Sequence, residues 1–161
     1  MIDFSGRARC LILACGNTLR EDDGVGPWLA AWAEERFAGE LGVRIVARQQ
    51  WTPELAQDIA EAESVLFVDC DVDAKPGAVT IASVEAASPE RTGLTTHQVG
   101  AAELLSLSKE LYGGTPRSSL LLTIGVGSLE LREGFSEAVR VALPEACAQL
   151  KSNLLRMLGN S

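Results

Sequence analysis

The run from Ala8 to Cys15 is nearly all apolar, and it opens into the acidic segment Gly16-Asn17-Thr18-Leu19-Arg20-Glu21-Asp22-Asp23-Gly24-Val25-Gly26 before a helical pattern from Pro27 to Phe37. A buried strand that feeds a loop and then a helix is the unit from which open α/β sheets are wound. Such sheets carry their sites outside the carboxyl ends of the strands. Gly16, Gly24 and Gly26 let the backbone turn there with no Cβ in the way. A phosphate-cradling loop presents backbone N–H groups to an anion, and Glu21, Asp22 and Asp23 would repel that anion. The segment is expected to hold a cation, or something that carries one.

The same alternation of apolar runs and helical spacing continues along the chain, which predicts a largely parallel sheet. Val25, Trp28, Leu29, Trp32 and Ala33 fall at i, i+3, i+4, i+7 and i+8, one apolar stripe on a helix ending near Gly39. Val43 to Arg48 reads as a second strand. Thr52 is placed to cap a helix reaching Ala62, with Pro53 in its first position, where a missing N–H costs nothing. Ser64 to Asp69 contains Val65-Leu66-Phe67-Val68 without polar alternation, as in a strand covered on both faces. Beyond the Pro76-Gly77 turn, Ala78 to Val84 alternates weakly and suits an antiparallel edge. Thr95-x-x-Gln98 matches a capping box for a helix whose buried stripe is Ala101, Leu104, Leu105 and Leu111, stopped at Gly113-Gly114. Leu120 to Val126 reads as the last strand and Phe135 to Leu158 as the last helical region, which Pro144 should kink or split.

The length of 161 residues fits one domain, 1–161, with no repeat or linker. A net charge of −8 argues against nucleic acid as a partner, since phosphate is neutralised by clustered Lys and Arg. No apolar run approaches the ~18 residues of a membrane span, and the start of the chain shows no signal-peptide pattern, so the expectation is a cytoplasmic protein. Cys10, Cys15, Cys70 and Cys147 have no metal-finger spacing and read as small core residues, although Cys15 and Cys70 fall at strand ends beside the candidate site.

Three residues are candidate ligands. Asp23 is as well placed to cap the following helix as to bind an ion, and Asp69 in Val68-Asp69-Cys70-Asp71 could bind one or simply end its strand at a turn. His97 is the only histidine; the capping box puts it in a helical first turn, where the dipole disfavours imidazolium and leaves a lone pair free, although a lone histidine is often a mere surface residue. Two carboxylates and a neutral imidazole suit a borderline divalent ion with open positions. Glu21, Asp71 and Asp73 read as solvated loop residues.

Gly16-Asn17-Thr18-Leu19 with Asp22-Asp23-Gly24-Val25-Gly26, Val68-Asp69, Pro76-Gly77, Thr96-His97-Gln98-Val99-Gly100, Ile124-Gly125-Val126 and Phe135-Ser136-Glu137-Ala138-Val139 occur in that order over nearly the whole chain. Together they resemble the [NiFe]-hydrogenase maturation endopeptidases. The resemblance implies a three-layer α/β/α sandwich around a mostly parallel, roughly five-stranded sheet. It also implies an activity: removal of the C-terminal peptide from the nickel-loaded precursor of a hydrogenase large subunit. Carried over by motif, the nickel-contacting and catalytic positions are Asp23, Asp69 and His97, on a loop shaped by Gly16, Asn17, Gly24 and Gly26. Nickel is then cargo held by the substrate's cysteines, and other divalent ions could fill the site in vitro. Cys15 and Cys70 stand where the resemblance leads one to expect Val or Gly and Ala. Two chemistries stay open. Nickel can act as a Lewis acid, or it can only position the bond while a carboxylate such as Asp69 serves as base, in the manner of an aspartyl-type peptidase. A non-cleaving nickel-checkpoint chaperone is the alternative, and a nucleotide-binding domain is disfavoured by the acidic loop. The expected partner is the precursor alone, and the expected state is a monomer.

Overall fold

A computed structural model describes residues 8–40, 42–87 and 99–159. In chain order the elements are β1 (Cys10–Cys15), a single 3-10 turn (Glu21–Gly24), α1 (Val25–Phe37), β2 (Val43–Arg48), α2 (Leu55–Ala60), β3 (Ser64–Asp71), β4 (Val79–Ser83), α3 (Ala101–Tyr112), β5 (Ser118–Gly125) and α4 (Glu137–Gly159). The five strands form one sheet in the order β2-β1-β3-β5-β4. All neighbours are parallel except β4, which runs antiparallel to β5 at the edge, as its weak alternation suggests. From β1 the chain winds first to β2 on one side and then to β3 on the other. The crevice between the carboxyl ends of β1 and β3 is therefore the topological switch point.

Alternate side chains of the central strands feed two separate cores. Ile12, Ala14, Leu66, Val68, Leu122 and Ile124 face α1 and α4, while Leu11, Leu13, Val65 and Phe67 face α2 and α3. This is the period of two in an extended chain, and it explains why β1 and β3 read as unbroken apolar runs. Phe67 is fully buried and meets Trp51 edge-on at 5.3 Å between ring centroids. Its burial contributes roughly 2–3 kcal/mol.

Several local expectations are corrected. α2 starts at Leu55 with Glu54 as the capping position, and the Thr52 carbonyl accepts from Leu55 N–H in a preceding turn. Of the α1 stripe, Val25, Leu29 and Ala33 are buried, joined by Ala30 and Phe37, while Trp32 is half-buried against the core and Trp28 sits on the rim against Phe135, 38% exposed. On α3 the buried positions are Ala101, Leu104, Leu105 and Ser108. Leu111 is exposed, because i+7 from Leu104 overshoots the sheet while i+7 from Ala101 does not. The helix stops at Gly113, whose φ of 75° is left-handed. α4 runs unbroken through Pro144. Both Pro144 and Arg140, whose carbonyl loses its partner, lie on the exposed face, so solvent can satisfy that oxygen while Val139, Ala142 and Ala146 keep the buried stripe intact. The capping box Thr95–Gln98, with His97, lies outside the described residues. α3 itself begins at Ala101 after Gly100, later than that capping box predicts.

Candidate active site

The acidic loop folds back on itself because two glycines allow close approach. A Cβ on Gly16, whose φ is +150°, would collide with the Asp23 carbonyl oxygen, and one on Gly26 would collide with the Cys15 carbonyl oxygen. Held this way, the loop splits its three acids between two destinations.

Glu21 and Asp22 turn away from the crevice into the segment between β5 and α4. Asp22 is fully buried, and its carboxylate accepts from Gly127 N–H at 2.7 Å, Ser128 N–H at 2.9 Å, Ser136 N–H at 2.8 Å and the Ser136 hydroxyl at 2.6 Å. Burial opposes its charge, but these four bonds outweigh burial and hold the carboxyl below its ordinary pKa of 3.8. Glu21 is 1% exposed and accepts from Arg132 Nε at 2.6 Å and from the Ser128 hydroxyl at 2.9 Å. Its φ of 41° is rare for a residue with a side chain, and this clasp holds it there. The reading of Glu21 as solvated is therefore wrong, and the loop does not offer three charges to a cation. Local spacing could not have shown this, since the donors lie more than 100 residues downstream.

Asp23 alone faces the crevice. It does not cap α1, whose capping position is Gly24 with no side-chain bond. Its carboxylate instead accepts from Asn17 N–H at 2.8 Å and from the Cys70 thiol at 3.3 Å. Across the crevice Asp69, near the end of β3, accepts from Cys70 N–H at 2.8 Å, and the Cys15 thiol donates to the same carboxyl group. Both acids line one cavity of about 460 Å³, together with Arg20, Trp51 and Glu103. Burial, with lesser repulsion from Asp23 and Asp71, raises the Asp69 pKa to about 6 against the thiol and amide bonds that lower it. Burial and then the neighbouring Asp69 carboxylate push both Cys15 and Cys70 far above the usual thiol range. They are protonated donors, poor nucleophiles, and the reading of these two as plain core residues misses that role. Asp71 bonds Asp73 N–H at 2.9 Å and does not line the cavity.

His97 lies outside the described residues; Val99 and Gly100, the first described residues after it, line the same cavity. Among the described residues no group of three or more His, Cys, Asp and Glu side chains is arranged to hold a metal ion. The pair formed by Asp23 and Asp69 would need further donors to complete a coordination shell.

The Asp69 shift carries a stability prediction. Its folded pKa is raised, so the favourable contribution of its neutral form is fully present below 3.8 and is lost as pH rises through about 6. Asp69→Asn is neutral throughout and should be more stable than the parent at pH 8, by on the order of 2 kcal/mol. The gain should vanish below pH 4; urea unfolding at both pH values measures it.

The order β2-β1-β3-β5-β4, with two carboxylates meeting at the β1/β3 crevice, defines an α/β protein with an acidic site at its switch point. The particular family comes from comparison. Residues 47–153 match the family model of the hydrogenase maturation proteases. The match includes Asp69 and His97 and stops short of the acidic loop. The chain is 28% identical to the hydrogenase 2 maturation protease of Escherichia coli (strain K12) over 149 residues, 91% of this chain and 90% of that one. Its fold is similar to the hydrogenase maturating endopeptidase HybD from E. coli, with a TM-score of 0.76, 26% identity and coverage of 92% and 93% of the two chains. It is also similar to the [NiFe] hydrogenase maturation protease HycI from Thermococcus kodakarensis KOD1, with a TM-score of 0.66, 26% identity and coverage of 97% and 96%. The chain belongs to the hydrogenase maturation protease family.

Proposed function

We propose that this protein is an endopeptidase that removes the C-terminal peptide from the nickel-loaded precursor of a [NiFe]-hydrogenase large subunit. Asp23, Asp69 and His97 are its contacts to nickel, which arrives on the substrate's thiolates. The observation that carries this reading is the convergence of Asp23 and Asp69 on one open cavity from two different strand ends. Two carboxylates held by only two donors each keep lone pairs free for an ion already bound elsewhere. Affinity for free nickel is modest, because the protein's own donors fill only part of a shell. Metal content of the precursor then serves as the checkpoint for cutting.

Asp69 also suits proton transfer. A carboxyl whose pKa stands at about 6 is ionised at neutral pH yet basic enough to take a proton from water. Cytoplasmic action as a monomer completes the proposal; no helix among the described residues is long and apolar enough to cross a membrane.

The test is incubation of the purified protein with nickel-loaded and nickel-free precursor, followed by mass spectrometry. Loss of the C-terminal peptide from the loaded form alone is expected. A stable uncut complex would replace the protease with a checkpoint chaperone. His97→Ala should abolish cleavage while moving Tm by no more than about 2 °C. Wild-type turnover by that variant removes His97 from the site.

A further inference from the structure

Among the described residues, Cys70 is hydrogen-bonded to both carboxylates. Its backbone N–H donates to Asp69 Oδ1 at 2.8 Å, and its thiol donates to Asp23 Oδ1 at 3.3 Å. The residue is fixed from behind. It pairs with Ile124 of β5 in the sheet register, and its side chain packs against the core beneath α1 and α4. Asp69 and Cys70 are consecutive in an extended strand, so their side chains leave opposite faces of the sheet. That alternation lets one residue reach the Asp23 carboxylate with its side chain while its amide holds Asp69.

From this geometry we propose that Cys70 is a positioning residue, whose S–H sets the orientation of the Asp23 carboxylate relative to Asp69. Asn17 N–H takes Asp23 Oδ2 and the thiol takes Oδ1, so the carboxylate plane is fixed at both oxygens. A thiol is a weak donor. It orients the oxygen without competing strongly for the remaining lone pair, which stays free for the substrate's metal. This rests on Asp23 and Asp69 being the working pair of the proposed peptidase.

The test compares Cys70→Ala, Cys70→Val and Cys70→Ser in steady-state cleavage of nickel-loaded precursor, with Asp69→Asn alongside. Cys70→Ala and Cys70→Val remove the donor at smaller and similar volume, and kcat should fall about fivefold with KM nearly unchanged, since misalignment acts on the reacting geometry. Cys70→Ser keeps an O–H donor and should recover most of kcat. Full kcat in Cys70→Val or Cys70→Ala overturns the proposal. So does a lowered Tm with Ser no better than Ala, which marks a packing role only. If Asp69→Asn is inactive while Cys70→Val keeps full kcat, only the positioning role fails. If the unaltered protein does not cut, or Asp69→Asn cuts normally, the peptidase reading and this proposal fail together.

Discussion

Asp22→Ala is expected to cost about 3–5 kcal/mol, the largest stability loss of any single change in the acidic loop. The substitution leaves three N–H groups, those of Gly127, Ser128 and Ser136, and one hydroxyl without their acceptor. In a domain of this size the drop corresponds to roughly 10 °C in Tm. Asp22→Asn should be milder but still harmful, because its amide turns donors toward donors. The pH dependence opposes that of Asp69. The Asp22 carboxyl is held below 3.8, so its contribution is present above that value and is lost as pH falls through its lower folded pKa. Denaturant unfolding at pH 7 and pH 3 should show the Asp22→Ala penalty at the first and a smaller one at the second. Equal stability of parent and variant at pH 7 would mean that the clasp is not what fixes the loop.

Asp23→Asn and Asp69→Asn should each reduce cleavage of the loaded precursor by about 10²–10⁴-fold. Neither change empties a core position, so Tm should hold, or rise for Asp69→Asn. An amide keeps one acceptor oxygen for Asn17 N–H or Cys70 N–H, yet it loses the negative charge that a divalent ion requires and the basicity that water activation requires. Asp71→Asn is the internal control. It bears the same charge two residues from Asp69 but lies outside the cavity, and its cleavage rate should stay within about twofold of the parent. Equal losses for Asp71→Asn and Asp69→Asn would point to net charge as the cause, against a role for one placed carboxylate.

The contrast between Asp22 and Asp23 shows where reading the sequence stops. Both follow the same glycine, both precede the same helix, and either could be written as the ligand of a metal site. Asp22 is committed by Gly127, Ser128 and Ser136, residues more than 100 positions away whose own sequence carries no mark of the bond. Cys15 and Cys70 are similar. As isolated thiols in apolar runs they look like core fillers, and only the pairing of β1 with β3 sets them against carboxylates. Pro144 errs the other way: a helix breaker in sequence proved harmless because its lost bond faces solvent.

What the amino-acid sequence determined by itself was the α/β class, the covered centre of β3, the antiparallel edge of β4 and the strand-to-helix loop as the place of a site. These follow from short-range physics: the period of buried side chains, the glycine-permitted turn and the rule that open sheets carry their sites at strand ends. That Asp23 and Asp69 share one cavity required β1 to lie beside β3. The tertiary structure alone decided which acids are clasped and which are free. A carboxylate's role is set by the donors that surround it, and those donors arrive through strand order and loop packing from distant parts of the chain.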